Sequence, residues 1–523
     1  MGDATPQTGN VEIELKFDLE PQHARRLREA DWLKSMQRGQ TRTQNLRASY
    51  FDTPELELRN RGVSLRVRKE GQQFVQCVKV RGSTLETTVS RREWEMLVRS
   101  GAIDPEAIRN NPELAALLPA ALVDRVQLAF ETDIRRTSRR LVTEDGSEIA
   151  ADLDSGEIRT REKSTPVYEL ELELKAGTVD SLFEVARRVA NTAPVRLNTT
   201  SKAGRGFELL NGSSIWWQKA DKVTLERGAT GEDALAATVS RAIEHILANE
   251  ACVLTRTHVE GVHQMRVACR RLRSALNIYK RLLPLGDYDR LNGMLKQIIN
   301  GLGPARDWDV FVDETLKPVS DYLVDDAPMA VLRQEIEKQR DAAYVQAAAM
   351  IRSRGYGATL IELVAWLHAR GWREQMLTEE SALLFSPATH FAAIMLAKRY
   401  RKLTKGGRRI RKMTTEERHD FRITIKKMRY TAELFASLYP AKKTKPFLAG
   451  LSALQDSLGL LNDIAVSRGL LHDLSAQTDE ARRADAAFAS GLVVGWHTKV
   501  LEEHENDLFD LWDSFAKAAP FWK

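Results

Sequence analysis

Two stretches of this 523-residue chain set charged side chains at every second position. One is Val11-Glu-Ile-Glu-Leu-Lys16, which offers Glu12, Glu14 and Lys16. The other is Tyr168-Glu-Leu-Glu-Leu-Glu173, which offers Glu169, Glu171 and Glu173. Alternation with Val, Ile and Leu reads as β-strand, where same-face residues lie roughly 6.6–7 Å apart. Two facing Glu-x-Glu strands would gather hard oxygen ligands suited to Mg2+ or Mn2+. Further alternating stretches offer cations: Arg66 and Arg68, Lys79, Arg91 with Glu93, and Arg136. Guanidinium and ammonium groups donate to phosphate oxygens. Charges left unpaired in a confined site are costly, and clustered carboxylates repel one another. The empty site is therefore expected to be strained, and its natural occupant is a metal–polyphosphate complex. A lone Glu-x-Glu-x-Lys is common on solvated strands, so the whole set carries the reading.

A second chemistry is written twice. His263, Arg266, Arg270 and Arg273 recur as His419, Arg422, Lys426 and Arg429, 156 positions later and without a gap; Pro284 falls on Pro440 and Asp307 on Asp463. The spacing i, i+3, i+7, i+10 places each set on one helical face. Stacked cations repel, so each face is expected to bind a polyanion. Lys398 to Lys412 adds nine Lys/Arg and no acid, a run that also reads as a solvated face. Nucleic acid is the rival ligand, disfavoured because no nucleic-acid motif and few interleaved aromatics accompany the repeat.

Strands must position the first set and helices the second. Residues 11–212 are mostly period two, with turn signals at Asn60-Arg61-Gly62, Glu70-Gly71 and Glu144-Asp145-Gly146 and helical patterns at Gln22 to Ala30 and Asp180 to Ala193. That is an antiparallel α+β pattern. From about Glu232 the period is helical. We expect one domain over 1–212, a linker over 213–230 and an all-α domain over 231–523. The chain is too long for one ordinary core. Hydrophobic content of 43%, charged content of 29% and a net charge of +6 describe a globular protein whose charge clustering matters more than its total. The N-terminus has no apolar signal core, and no apolar run reaches the roughly 20 residues of a membrane helix. Cys77, Cys252 and Cys269 are too few and irregular for a disulfide or metal framework. A cytoplasmic protein with no membrane partner is expected.

Val11-Glu-Ile-Glu-Leu-Lys16, Tyr50-Phe-Asp-Thr53, Leu65-Arg-Val-Arg68, Lys79, Tyr168-Glu-Leu-Glu171 and Ser201-Lys-Ala-Gly-Arg-Gly206 together resemble the CYTH family, the triphosphate tunnel metalloenzymes. The resemblance implies an antiparallel eight-stranded β-barrel tunnel with outer helices. It implies metal ligation by Glu12, Glu14, Glu169 and Glu171, and triphosphate contacts from Arg66, Arg68, Lys79, Arg91, Arg136, Lys202 and Arg205. It also gives Lys16 a part in orienting or deprotonating the attacking water, with Glu12 and Glu14 beside it. Glu93, Asp154 and Glu173 stay open between supporting and outward-facing positions. The choices of Arg91 over Arg92 and Arg136 over Arg135 rest on strand parity. The repeated helices resemble the CHAD domain, which implies two repeated helical bundles that bind polyphosphate through the His, Arg and Lys residues named above. The expected activity is hydrolysis of inorganic tripolyphosphate with Mg2+ or Mn2+, with long-chain polyphosphate as second ligand and association with polyphosphate granules. A nucleoside or thiamine triphosphatase, an adenylate cyclase, and a non-catalytic polyphosphate-binding protein are the alternatives.

Overall fold

A computed structural model describes residues 13–80, 92–212, 215–323 and 326–523. The chain folds as two compact units. The first runs to Ile215 and takes in Ile351–Ala369; the second comprises Trp216–Met350 and Arg370–Lys523.

The first unit is built on one antiparallel sheet. Its strands are β1 (Ile13–Asp18), β2 (Gln37–Asp52), β3 (Val63–Glu70), β4 (Gln73–Val80), β5 (Arg92–Val98), β6 (Gln127–Val142), β7 (Glu148–Arg159), β8 (Ser164–Ala176) and β9 (Arg196–Leu197). They lie in the order β5-β4-β3-β2-β6-β7-β8-β1-β9. Nine strands are described where eight were expected, and the edges β5 and β9 do not pair with each other among the described residues. The ninth strand is a two-residue stub. Asn198 ends it by donating its backbone N–H to Lys16 O at 2.7 Å and its side-chain amide to Asp18 at 2.9 Å.

Alternation divides the sheet into two faces. Leu58, Val63, Leu65, Val78 and Trp94 pack on one face with Ile108, Leu114, Leu118, Leu122 and Val123 from the helices that follow β5. The other face is apolar at one end and charged elsewhere. Leu46, Ala48, Tyr50, Phe130, Ile134, Ile158 and Val167 make the apolar end, covered by Ala203 and Phe207 of the helix Lys202–Asn211. The fit is close: a Cβ on Gly206 would lie 2.1 Å from the Phe130 ring, so only glycine lets this helix seat. The buried Asp52 of Tyr50-Phe-Asp-Thr53 accepts the backbone N–H of Thr53, Leu58 and Arg59 at 2.7–3.0 Å. It holds the turn after β2 and has no place on the charged face.

One helix of this unit comes from far along the chain. Arg354–His368 packs on the helix Val179–Thr192, which directly follows β8. Arg187 pairs with Glu362 through two contacts of 2.5 and 3.3 Å, and Arg354 donates to Asn191 O at 3.2 Å. A side chain at Gly357 would meet Val195 O at 2.1 Å, so the helix approaches the backbone just before β9.

The second unit is all helical among the described residues. Both copies of the basic motif form helices, Glu260–Tyr279 and Thr415–Phe435, and the two pack against each other. Thr414 and Glu417 form a capping box at the start of the second copy, satisfying backbone N–H groups that a helix otherwise leaves open. No described helix is long and apolar enough to cross a membrane.

Candidate functional site

The register brings the acid-bearing strands together although they are distant in sequence. Lys16 of β1 faces Glu171 of β8, and Glu14 faces Glu173. Across β8, Glu171 faces Asp152 and Glu169 faces Asp154 of β7; Asp154 in turn faces Arg136 of β6. Residues directly opposite across a strand pair share a face, so all of these side chains meet on the charged face.

There they form an ion network. Arg136 makes two 2.7 Å bonds to Asp154 and one of 2.7 Å to Asp152, and it also bonds Glu171. Lys202, at the start of the helix that covers the apolar end, reaches Asp154 at 2.8 Å, Glu171 at 2.9 Å and Glu169 at 3.3 Å. Lys16 lies 3.0 Å from Glu14 and 3.3 Å from Glu171. Arg205 lies 3.5 Å from Asp18 and 3.8 Å from Glu169 and donates to Pro166 O at 2.8 Å. Burial alone would raise the Glu171 pKa, but Lys16, Lys202 and Arg136 outweigh it and hold the carboxyl well below its usual range. Burial also opposes the Lys202 charge, yet Glu171, Asp154 and Glu169 raise its pKa. Glu169 is the exception. Its side chain is fully buried, neither carboxylate oxygen accepts a hydrogen bond, and burial pushes its pKa up to about 7. Interleaved cations pair Glu14, Asp152, Asp154 and Glu171, while Glu169, with Lys202 3.3 Å away, keeps a raised pKa.

The second half of the face lies on β3, β4 and β5. Lys79 reaches Glu93 at 2.5 Å, Arg66 stands 3.8 Å from Glu93 and 3.4 Å from the Tyr50 hydroxyl, and Arg68 pairs with Glu70 and, at 3.3 Å, with Glu95. Burial would raise the Glu93 pKa, but Lys79, the Cys77 thiol and Arg66 bring it down to about 2. Cys77 donates to Glu93 at 2.8 Å, and burial pushes its own pKa up to about 12, so it stays a thiol. The ligand atoms of Cys77, Glu93 and Glu95 lie within 4.8 Å of one another. A protonated thiol and a carboxylate already held by Lys79 make a poor metal set.

The structure thus gathers Glu14, Lys16, Arg136, Glu169, Glu171, Lys202 and Arg205 in one cluster, and Arg66 and Lys79 in another on the same face, with Arg68 beside the latter. Glu12 and Arg91 lie outside the described residues. Of the positions left open, Glu93 and Asp154 face inward as partners of the cations. Asp152 was not foreseen, although Asp152-Leu-Asp154 repeats the acid-every-second-residue signal on a third strand. Asp18 and Cys77 were also missed; nothing in their local pattern marks them.

On the helical unit, His263, Arg266, Arg270 and Arg273 are half-buried on one face of their helix. Arg266 donates to Ile299 O at 3.0 Å and stands 4.0 Å from Asp307; Arg273 donates to Asn292 at 2.7 Å. His263 is not one of the cations: burial, then Arg306, brings its pKa down to about 4. In the second copy, His419 is exposed and Arg422, Lys426 and Arg429 are half-buried. Glu433 joins the two faces, 3.4 Å from Arg271 and 3.7 Å from Arg429. Within the basic run, Arg399 donates to Asn277, while Arg409 and Arg411 pair with Glu417 and Asp513.

Residues 10–207 match the CYTH domain model and residues 237–472 the CHAD domain model. The chain is 30% identical over 200 residues, 38% of its length, to an inorganic triphosphatase of Haemophilus influenzae; it spans about half (54%) of that relative. It is 25% identical to an uncharacterized protein of Mycobacterium tuberculosis over 448 residues, 80% of this chain and 81% of the other. Among solved structures, the CHAD domain from the plant Ricinus communis is 29% identical, with a TM-score of 0.50, covering 57% of this chain and 97% of that one.

Proposed function

Because this chain carries a CYTH domain followed by a CHAD domain, we propose that its charged sheet face hydrolyses inorganic tripolyphosphate to pyrophosphate and phosphate. In this reading 1–212 is the catalytic domain, 213–230 the linker and 231–523 a pair of repeated helical bundles that binds long-chain polyphosphate. The protein works in the cytoplasm, where polyphosphate granules would hold it near its ligands.

The observation that carries the reading is Glu169, a fully buried carboxylate that accepts no hydrogen bond although Lys202 stands 3.3 Å and Arg205 3.8 Å from it. An unsatisfied buried acceptor is costly unless a cation arrives to meet it. The donor set fits a hard divalent ion, Mg2+ or Mn2+, held by Glu14, Glu169 and Glu171, with Glu12 two positions before Glu14. When bound, such an ion draws charge from phosphate oxygens and offsets the negative charge of the substrate.

The chain's own residues do the rest. Arg66, Arg68 and Lys79, with Arg91 from the segment before β5, grip the phosphate chain at the basic half; Arg136, Lys202 and Arg205 grip it at the acidic half. Phosphate oxygens replace Glu93 as the partner of Lys79 and Arg66. Lys16, between Glu14 and Glu171, orients water for in-line attack on the terminal phosphorus. Catalysis by positioning and charge suits phosphoryl transfer, where little covalent work falls to the protein.

The aromatic groups of this face favour an inorganic substrate. Tyr50 and Phe130 stack at 4.6 Å, and Phe207 meets Phe130 edge-on at 5.0 Å, all of them buried. They are occupied by one another and offer no surface to a base or thiazole ring. The test compares phosphate release from tripolyphosphate, ATP, thiamine triphosphate and long-chain polyphosphate in Mg2+. Tripolyphosphate should be turned over fastest; no release above a Glu12→Ala/Glu14→Ala control would leave a polyphosphate-binding protein without catalysis.

A further inference from the structure

Each cation described so far on the charged face stands within 4 Å of a carboxylate, from Lys16 with Glu14 to Arg68 with Glu95. Arg42 does not. The register places it on that face: Arg42 of β2 faces Ser138 of β6, Ser138 faces Asp152 of β7, Asp152 faces Glu171 of β8, and Glu171 faces Lys16 of β1. These five positions form one row across five strands. Gln44, the next same-face residue of β2, sits opposite Arg136, which puts Arg42 on the diagonal from Arg136, roughly 7–8 Å away. Arg42 is exposed, and no ion pair engages its guanidinium among the described residues.

Its position along the strand gives the lone charge a meaning. The face is closed at the Tyr50–Phe130 end, where Phe207 covers it. Arg42 lies toward the other end. β3 pairs with β2 only between Arg47 and Phe51, so at Arg42 the strand has β6 on one side and, among the described residues, no strand on the other. Elsewhere on this ribbon, Arg47 and Arg140 are matched by Asp133 and Glu148. A cation that faces the ligand side of a neutralised site, at its uncovered end, with no acid of its own, is arranged for an anion that arrives with the ligand.

We propose that Arg42, with the Ser138 hydroxyl beside it, binds a phosphate beyond the third of a condensed phosphate chain and so sets chain-length preference. This rests on the reading of the charged face as a polyphosphate site. The experiment uses full-length protein with inorganic tripolyphosphate and tetrapolyphosphate in Mg2+. Arg42→Gln should lower kcat/KM for tetrapolyphosphate about five- to ten-fold, the range of a charge-assisted contact near solvent, and change that for tripolyphosphate less than about two-fold. Arg42→Lys should recover part of the loss. Arg135→Gln removes an exposed charge from the opposite face of β6 and should alter neither substrate. Equal losses on both chains, an unchanged ratio, or the same effect from Arg135→Gln would overturn the assignment. If the wild type hydrolyses neither chain, the triphosphatase reading fails by itself. Calorimetric binding of the two chains then decides on Arg42: a tetrapolyphosphate advantage lost in Arg42→Gln supports it, and equal binding or none overturns it.

Discussion

Replacing Glu171 by Gln keeps the size of the side chain and removes the charge that Lys16, Lys202 and Arg136 share. If like-charge repulsion dominated the empty site, losing one carboxylate would stabilise it. The geometry predicts the opposite. Glu171 contacts Lys16 at 3.3 Å and Lys202 at 2.9 Å and also pairs with Arg136. Each cation retains another partner: Glu14 for Lys16, Asp154 for Lys202, and Asp152 with Asp154 for Arg136. Breaking a buried pair outright costs about 3–5 kcal/mol, and a hydrogen bond to a charged group is worth about 1.5–3 kcal/mol. The remaining partners place the loss near the lower range, about 2 kcal/mol. For a unit of this size that is a fall of about 4–8 °C in melting temperature. Differential scanning calorimetry in EDTA reads it directly. A variant that melts at or above the wild type without metal would refute the network argument. Its activity should fall by orders of magnitude and need far more Mg2+; full turnover at low Mg2+ would remove Glu171 from the metal site.

Glu169 gives a pH dependence with a definite sign. Its pKa is raised from 4.5 to about 7, so its contribution to stability is fully present below about pH 4.5 and lost as pH rises through 7. Metal-free protein should therefore lose stability across that window, and Mg2+ binding at pH 6 should release a proton; calorimetry showing equal heats in buffers of different ionisation enthalpy would contradict this. Residues 1–212 hold every charged-face residue but lack the helix Arg354–His368, so the fragment should hydrolyse tripolyphosphate yet melt several degrees below a version with 351–369 fused through a flexible linker. A fragment indifferent to that fusion would show the helix to be dispensable. Changing Arg266, Arg270, Arg273, Arg422, Lys426 and Arg429 to Ala should weaken polyphosphate binding and flatten its salt dependence, with tripolyphosphate turnover little changed. Wild-type affinity in this variant, with helical content intact by circular dichroism, would make the basic faces structural.

Period-two alternation determined from sequence alone which neighbours share a face: Arg66 with Arg68, and Glu169 with Glu171 and Glu173. The gapless repeat likewise marked both basic segments as helices, and the turn residues at Glu70-Gly71 and Glu144-Asp145-Gly146 marked where strands reverse. These are local rules, set by the pleat of a strand and the pitch of a helix. Only the tertiary structure decided that Lys16 faces Glu171, that Asp152 and Asp154 neutralise Arg136 and Lys202, and that Glu93 holds Lys79. It also decided that a helix from residues 354–368 completes the sheet-bearing unit, and that His263 is neutral while Glu169 resists ionisation. Those outcomes depend on which distant segments pair, in what register, and how far water is excluded from each charge. Alternation tells a residue which way to point, but its partner and its protonation state are set by other strands and helices, from Glu93 beside Lys79 on the next strand to Glu171 beside Lys16 across the length of the domain.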